Sequence, residues 1–245
     1  MFLQIEITTR CQFKCDYCAG RHMEQKDMPF ETFKQLITDF TKKYGQPSEV
    51  FLQGEGEPTL HPQFFDMVNY LKPIRSSIIT NGMYHHPEHF VGLLDHISVS
   101  IDSLDENTSS KIGRYNVERA MNFVDYLSKH MTVTVMTVDY GQDLSDLKLF
   151  VSERKVGWAI QKLQTKPDYS NYYKKVKHNL IVSDKPQFNC FYVKNNNTRF
   201  FNIDMVELPC CFIKDATNFN GIDDMKTCLG TSNIPTVCTG CKFIG

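Results

Sequence analysis

The chain has 245 residues, enough for one large domain or one domain with a small appendage. Its 41% hydrophobic and 22% charged residues are ordinary for a packed globular chain, and a formal net charge of −1 supplies no general pull toward nucleic acid or an anionic membrane. No stretch approaches the ~18 apolar residues of a membrane-spanning helix, and the opening MFLQIEITTR has neither a basic leader nor a long apolar run. A cytoplasmic, reducing setting is therefore expected, where nine Cys read as metal ligands or reactive thiols rather than disulfides.

In chain order, FLQIEIT alternates as a strand does. PFETFKQLITDFTKKYG predicts a helix with Phe30, Phe33, Leu36, Ile37 and Phe40 on one face, Pro29 in its first turn and Gly45 as its stop. EVFLQG is a strand, HPQFFDMVNYL a helix, SSIIT a strand and PEHFVGLL a short helix. HISVSID is a strand, VERAMNFVDYLSK a helix, MTVTVMTVDY a strand, DLSDLKLFVSER a helix and GWAIQKLQT a last strand. Strict alternation implies a parallel sheet with right-handed crossovers. A closed eight-stranded barrel takes about 250 residues, so six strands here predict an open, partial (β/α)6 TIM-like barrel over residues 1–165. Residues 166–187, polar and Tyr-rich, read as a linker. Residues 188–245 read as a small Cys-rich domain, starting with a hairpin that turns at Asn195–Asn197. So small a core needs a metal to order it.

The Cys fall into two groups. Cys11, Cys15 and Cys18 follow the first strand, on the rim where such sheets bind ligands. Cys190, Cys210, Cys211, Cys228, Cys238 and Cys241 lie in the tail. The C-x3-C-x2-C loop can hold three corners of an iron–sulfur cube and leave one iron open. Zinc, with His22 as fourth ligand, is the alternative.

CQFKCDYC, with Tyr17 before the third Cys, resembles the signature of the radical S-adenosylmethionine (radical SAM) family. GEGEPTLHP at 54–62 resembles its Gly-Glu-Pro motif, TNG at 80–82 its third strand end, and SVSIDS at 98–103 followed by Arg114 its fourth strand and downstream basic residue. The order agrees over residues 1–163. The resemblance implies a [4Fe–4S] cluster on Cys11, Cys15 and Cys18, whose free iron chelates S-adenosylmethionine (SAM). It implies reductive cleavage to a 5′-deoxyadenosyl radical and hydrogen abstraction from a substrate, fed by a donor such as flavodoxin or ferredoxin. It places the SAM amine at Gly56, Glu57 and Pro58, its carboxylate or ribose at Ser100 and Arg114, and adenine near Tyr17. The plainer readings are an exposed loop carboxylate for Glu57, a packed strand residue for Ser100 and a surface charge for Arg114.

The tail resembles the twitch domain, a one-cluster relative of SPASM, which implies an auxiliary [4Fe–4S] cluster on Cys190, Cys210, Cys238 and Cys241. Cys211 is then spare, because neighbours in extended chain point apart; Cys228 stays ambiguous. A four-cysteine zinc knot fits the same spacing. His85, His86 and His89 read as a solvated helix start or a metal site. Asp139 and Tyr140, at a strand end, are weak acid/base candidates or, for Asp139, a turn cap.

The expected activity is dehydrogenation, epimerisation or rearrangement of a polar small molecule such as a sugar, aminoglycoside or nucleotide derivative. A ribosomally made peptide is the second substrate class. Peptide maturases of the family often carry a leader-binding module, and here the first barrel strand begins at residue 2, which favours a small molecule. A non-catalytic metal-binding interaction protein is the reading from another class.

Overall fold

The computed structural model describes residues 1–173, 175–176, 187–195, 197–214 and 219–244. Strands β1 (Phe2–Ile5), β2 (Glu49–Leu52), β3 (Arg75–Thr80), β4 (His96–Ser100), β5 (Val133–Asp139) and β6 (Gly157–Lys162) pair in parallel, each with the next. Between them lie α1 (Phe30–Tyr44), α2 (Phe64–Leu71), α3 (Glu106–Lys111), α4 (Val117–Leu127) and α5 (Ser145–Arg154). Leu3, Ile5, Val50 and Leu52 point to the helical layer and are fully buried with Phe33, Leu36 and Phe40 of α1. Each such side chain contributes about 1.5–3 kcal/mol of burial. The alternate residues face inward: Gln4, Phe51, Ile79, Ser100, Met136 and Gln161 line a cavity inside the curved sheet.

Two details of the barrel depart from the expected elements. PEHFVGLL makes only a 3-10 turn at Pro87–Phe90. α3 was not anticipated; Asp105 caps it by accepting Thr108 N–H at 2.8 Å. Its Glu106 in turn accepts Asn116 N–H and Val117 N–H at 2.9 and 2.8 Å, satisfying donors at the start of α4.

Past β6 come α6 (Pro167–Ser170), α7 (Phe191–Asn195), β7 (Thr198–Phe201), β8 (Glu207–Leu208) and α8 (Ile222–Thr227). The hairpin is real but shifted. Residues 191–195 are helical, with Asn195 Nδ2 donating to Phe191 O at 2.9 Å. The turn lies between β7 and β8, where Asn202 Oδ1 accepts Asp204 N–H and Val206 N–H at 3.1 and 2.8 Å. Two Asn-bearing stretches competed for the turn, and the second has the side chain that closes it. β7 also pairs in parallel with β1, so the sheet is eight-stranded, ordered β6-β5-β4-β3-β2-β1-β7-β8, and open. Tyr169 and Tyr173 of the supposed solvated connector are buried against Ala19, Ile112 and Leu163, since their rings cover the thiol loop's flank. The connector's residues 177–186 lie outside the described residues, as does Asn196 of the expected turn.

Candidate functional site

Cys11, Cys15 and Cys18 leave β1 on the C-terminal rim of the parallel strands and all line one cavity of about 480 Å³. Two glycines allow the close packing there. A Cβ on Gly56 would stand 2.3 Å from Thr8 O, and one on Gly113, at φ +84°, 2.4 Å from Lys14 O. The thiol loop is thus clamped between the loops after β2 and α3.

Each thiol meets a different rim residue. Asn81 Nδ2 lies 4.0 Å from Cys11 Sγ, Arg114 Nε donates to Cys15 Sγ at 3.3 Å, and Cys18 Sγ lies 3.2 Å from a Glu55 carboxylate oxygen. Burial pushes the Cys11 thiol up to about 11 and raises Cys18 well above its usual value. A bound cationic centre would make such thiols good thiolates. Tetrahedral zinc would gather its sulfurs within about 4 Å of one another. Among the described residues only His86, Glu88 and His89 gather three ligand atoms within 4.8 Å; neither Cys group does. His22, zinc's expected fourth ligand, instead accepts from Arg21 Nε at 2.8 Å and packs on Tyr172. The three thiols therefore fit a cluster, which spreads its ligands over several irons, better than a single ion.

Glu57 is not an exposed loop carboxylate: it is 2% exposed. It accepts Thr59 and Thr80 hydroxyls at 2.7 Å each and Asn81 N–H at 2.7 Å, and its own N–H donates to Arg10 O. The side chain braces the Gly-Glu-Pro loop to the end of β3, and burial outweighs these bonds to raise its carboxyl. Gly56 and Glu57 line the cavity, and Pro58, which follows them in the chain, starts a 3-10 turn.

Arg114 is not a surface charge either. Its guanidinium pairs with the buried Asp102 at 3.2 Å and donates to Ser100 O at 2.6 Å. Burial would lower it, yet Asp102, Tyr17 and Cys15 outweigh that and hold it above its ordinary value. Ser100 lines the cavity. Tyr17 also lines it, with its hydroxyl donating to Asp102 and its ring stacked on Tyr140. Tyr140 sits behind Tyr17, its hydroxyl buried without a partner among the described residues and its pKa raised by burial. Asp139 accepts Gly141 N–H at 3.0 Å, a turn cap outside the cavity. Sequence reasoning missed Asp102, although a lone Asp closing the apolar HISVSID strand, ahead of an Arg, was the available signal. It also missed Glu55 and Lys214.

In the tail, Cys190, Cys210, Cys238 and Cys241 line one small cavity walled by Phe188, Tyr192, Phe212 and Phe243. Cys211 turns the other way and lines the main cavity. Cys228 does not line the small cavity but packs against the apolar cluster that includes Cys190 and Cys238, its sulfur contacting Asp224 O and Asn233 Nδ2 at 3.7 Å. The His85–His89 stretch is at the surface; His86 Nδ1 meets Glu88 Oε1 at 3.0 Å. Among the described residues no helix is long and apolar enough to cross a membrane.

Fold and site together define an open α/β barrel with a three-thiol cofactor loop on the rim of its parallel strands. The model of the radical SAM superfamily matches residues 5–152, and the chain belongs to that superfamily. Its cofactors are accordingly a [4Fe–4S] cluster and SAM. A tungsten-containing aldehyde ferredoxin oxidoreductase cofactor-modifying protein of Pyrococcus furiosus is 36% identical over 85 residues, 33% of this chain and 24% of the relative. An S-adenosylmethionine-dependent nucleotide dehydratase of Selenomonas ruminantium is 29% identical over 138 residues, 54% of this chain and 50% of the relative. The chain thus spans half or less of the length of these curated relatives. Streptococcus suis SuiB bound to S-adenosylmethionine shares the fold, with TM-score 0.70 at 17% identity over 90% of this chain and 61% of SuiB.

Proposed function

We propose that the chain is an enzyme that reductively cleaves SAM and abstracts a hydrogen atom from a polar small molecule. The observation that carries this is the convergence of Cys11, Cys15 and Cys18 with the Gly-Glu-Pro loop, Ser100 and Arg114 on one cavity. When bound, the cluster and SAM supply one-electron C–S cleavage and the abstracting radical. The chain's own residues hold and shield them. The backbone at Gly56, Glu57 and Pro58 receives the SAM amine, kept in place by the Glu57 brace to Thr80 and Asn81. Ser100 and Arg114, fixed by Asp102, form the side that takes the SAM carboxylate or ribose, and Tyr17 packs toward adenine. Cys190, Cys210, Cys238 and Cys241 hold an auxiliary cluster. The tail docks at the end of β6, where Gln164 Oε1 accepts Lys242 N–H at 2.9 Å.

The barrel interior supports a polar small molecule. Gln4 and Gln53 line the cavity as an amide pair, with Gln53 Nε2 donating to Gln4 Oε1 at 3.3 Å, and Gln161 stands on β6. Carboxamides both donate and accept, so they suit hydroxyls or base edges. Matched relatives named for nucleotide dehydration and for GTP 3′,8-cyclisation point the same way. The second reading is peptide modification, since SuiB with the same fold is also solved with its precursor peptide SuiA.

The test is anaerobic reconstitution and reduction, followed by detection of 5′-deoxyadenosine and methionine. Wild type releases both slowly without substrate, and the variant with Cys11, Cys15 and Cys18 all replaced by Ala releases neither. Unchanged cleavage in that variant refutes the assignment.

A further inference from the structure

Glu55 and Lys214 form an ion pair between the loop after β2 and the chain past the hairpin, with side chains only 14% and 16% exposed. The carboxylate accepts Gly20 N–H at 3.2 Å and the Tyr169 hydroxyl at 3.3 Å, and its Oε2 lies 3.2 Å from Cys18 Sγ. Lys214 Nζ also donates to Cys211 O at 2.8 Å, beside Cys210 of the tail set. A glycine makes room for this: a Cβ on Gly20 would stand 2.6 Å from Glu55 Cβ and 3.3 Å from Cys18 Sγ. Burying two charges is costly unless each is paired and hydrogen-bonded, and here nearly every partner belongs to one of the two Cys segments. Nearby Glu6 shares the region, accepting the Glu55 N–H at 2.7 Å.

A carboxylate beside a cluster-ligating thiolate disfavours the added electron, and the ammonium beyond it favours it. Net charge and contacts to the sulfurs are known levers on cluster potential. We propose that the Glu55–Lys214 pair is a positioning and charge-setting element, which fixes the potential of the cluster held by Cys11, Cys15 and Cys18 while tying the tail Cys segment to the barrel mouth. This rests on reading those three thiols as cluster ligands.

The test uses the full chain, anaerobically reconstituted, with iron counted and the midpoint potential of the SAM-responsive cluster followed by paramagnetic resonance during redox titration. Glu55→Gln removes a negative charge and leaves Lys214, so the potential rises. Lys214→Met removes the positive charge, so the potential stays at or below wild type, and falls only to the extent that the unpaired Glu55 stays ionised. Lys214→Arg stays near wild type, and the neutral double variant Glu55→Gln/Lys214→Met lies between the two singles. Should Lys214→Met fail to fold, the rise in Glu55→Gln and the wild-type value in Lys214→Arg still decide. Equal or same-direction shifts in the singles, or no shift in Glu55→Gln with iron retained, overturn the proposal. A wild-type chain that takes up zinc and no iron instead removes the cluster reading, and this inference with it.

Discussion

Glu57 and Asn81 are joined across the mouth of the barrel: a Glu57 carboxylate oxygen accepts the Asn81 N–H at 2.7 Å, in a place where both residues are buried. The other carboxylate oxygen takes the Thr80 hydroxyl. Glu57→Ala strands those donors away from water, at about 1–3 kcal/mol for each left unpaired. Urea unfolding of the metal-free chain is expected to show a matching drop in midpoint. An unchanged midpoint would mean the loop is held by other contacts.

The same carboxylate gives stability a defined pH dependence. Burial raises the folded-state pKa of Glu57 above 4.5. Between the unfolded value and that raised value, the folded chain binds more protons than the unfolded chain. The contribution of this site is therefore most favourable below the ordinary carboxylate range and declines as pH rises through the raised pKa. Glu6 shifts the same way. Comparison with Glu57→Gln isolates the site: stability of wild type minus that of the variant falls with rising pH, then levels. A flat difference across the carboxylate range rules out the raised pKa.

Asp102 anchors the other side. It receives Arg114, the Tyr17 hydroxyl and Val138 N–H, and is 2% exposed. Asp102→Ala leaves a buried guanidinium unpaired, which costs about 3–5 kcal/mol. Asp102→Asn keeps the acceptor and the shape and costs less. Binding of SAM by the reconstituted protein, measured by calorimetry, weakens in both, because Arg114 loses its fixed position. Full SAM affinity in Asp102→Ala would detach this triad from the cofactor side of the cavity.

What the sequence made legible was local. The alternation of FLQIEIT, EVFLQG and HISVSID, with helical faces such as Phe33, Leu36 and Phe40 between them, is enough to read an open parallel barrel, because each element buries one face at its own period. The thiol triplet was equally plain, since its ligands share one loop. The pairing of β7 with β1 was not, because the register Leu3–Arg199 joins residues nearly a chain length apart. Glu55 and Lys214 escaped for the same reason: each looks like an ordinary surface charge until the fold buries them together. The turn at Asn202 was missed because the Asn195–Asn197 run is the stronger local turn signal, and only helix formation at 191–195 moves the turn onward.

The tail offers the sharpest discrimination between adjacent residues. Cys210 faces the small cavity with Cys190, Cys238 and Cys241, whereas Cys211 faces the main cavity beside the barrel thiols. If the first four hold an auxiliary cluster, Cys238→Ala with Cys241→Ala lowers iron from about eight to about four per chain, as two four-iron clusters require. SAM cleavage survives, since the barrel loop keeps its own cluster. Substrate turnover falls, because Phe212 and Tyr192, which wall both cavities, lose their support. Thermal unfolding shifts downward as well, since metal binding and folding are coupled in so small a core. Cys211→Ala alone keeps iron near wild type, and Cys210→Ala loses the auxiliary share. The reverse outcome, with Cys211 essential for iron and Cys210 dispensable, moves the ligand by one residue and refutes the orientation of the chain after β8. Full iron in the Cys238/Cys241 variant removes the auxiliary cluster and leaves the barrel site alone.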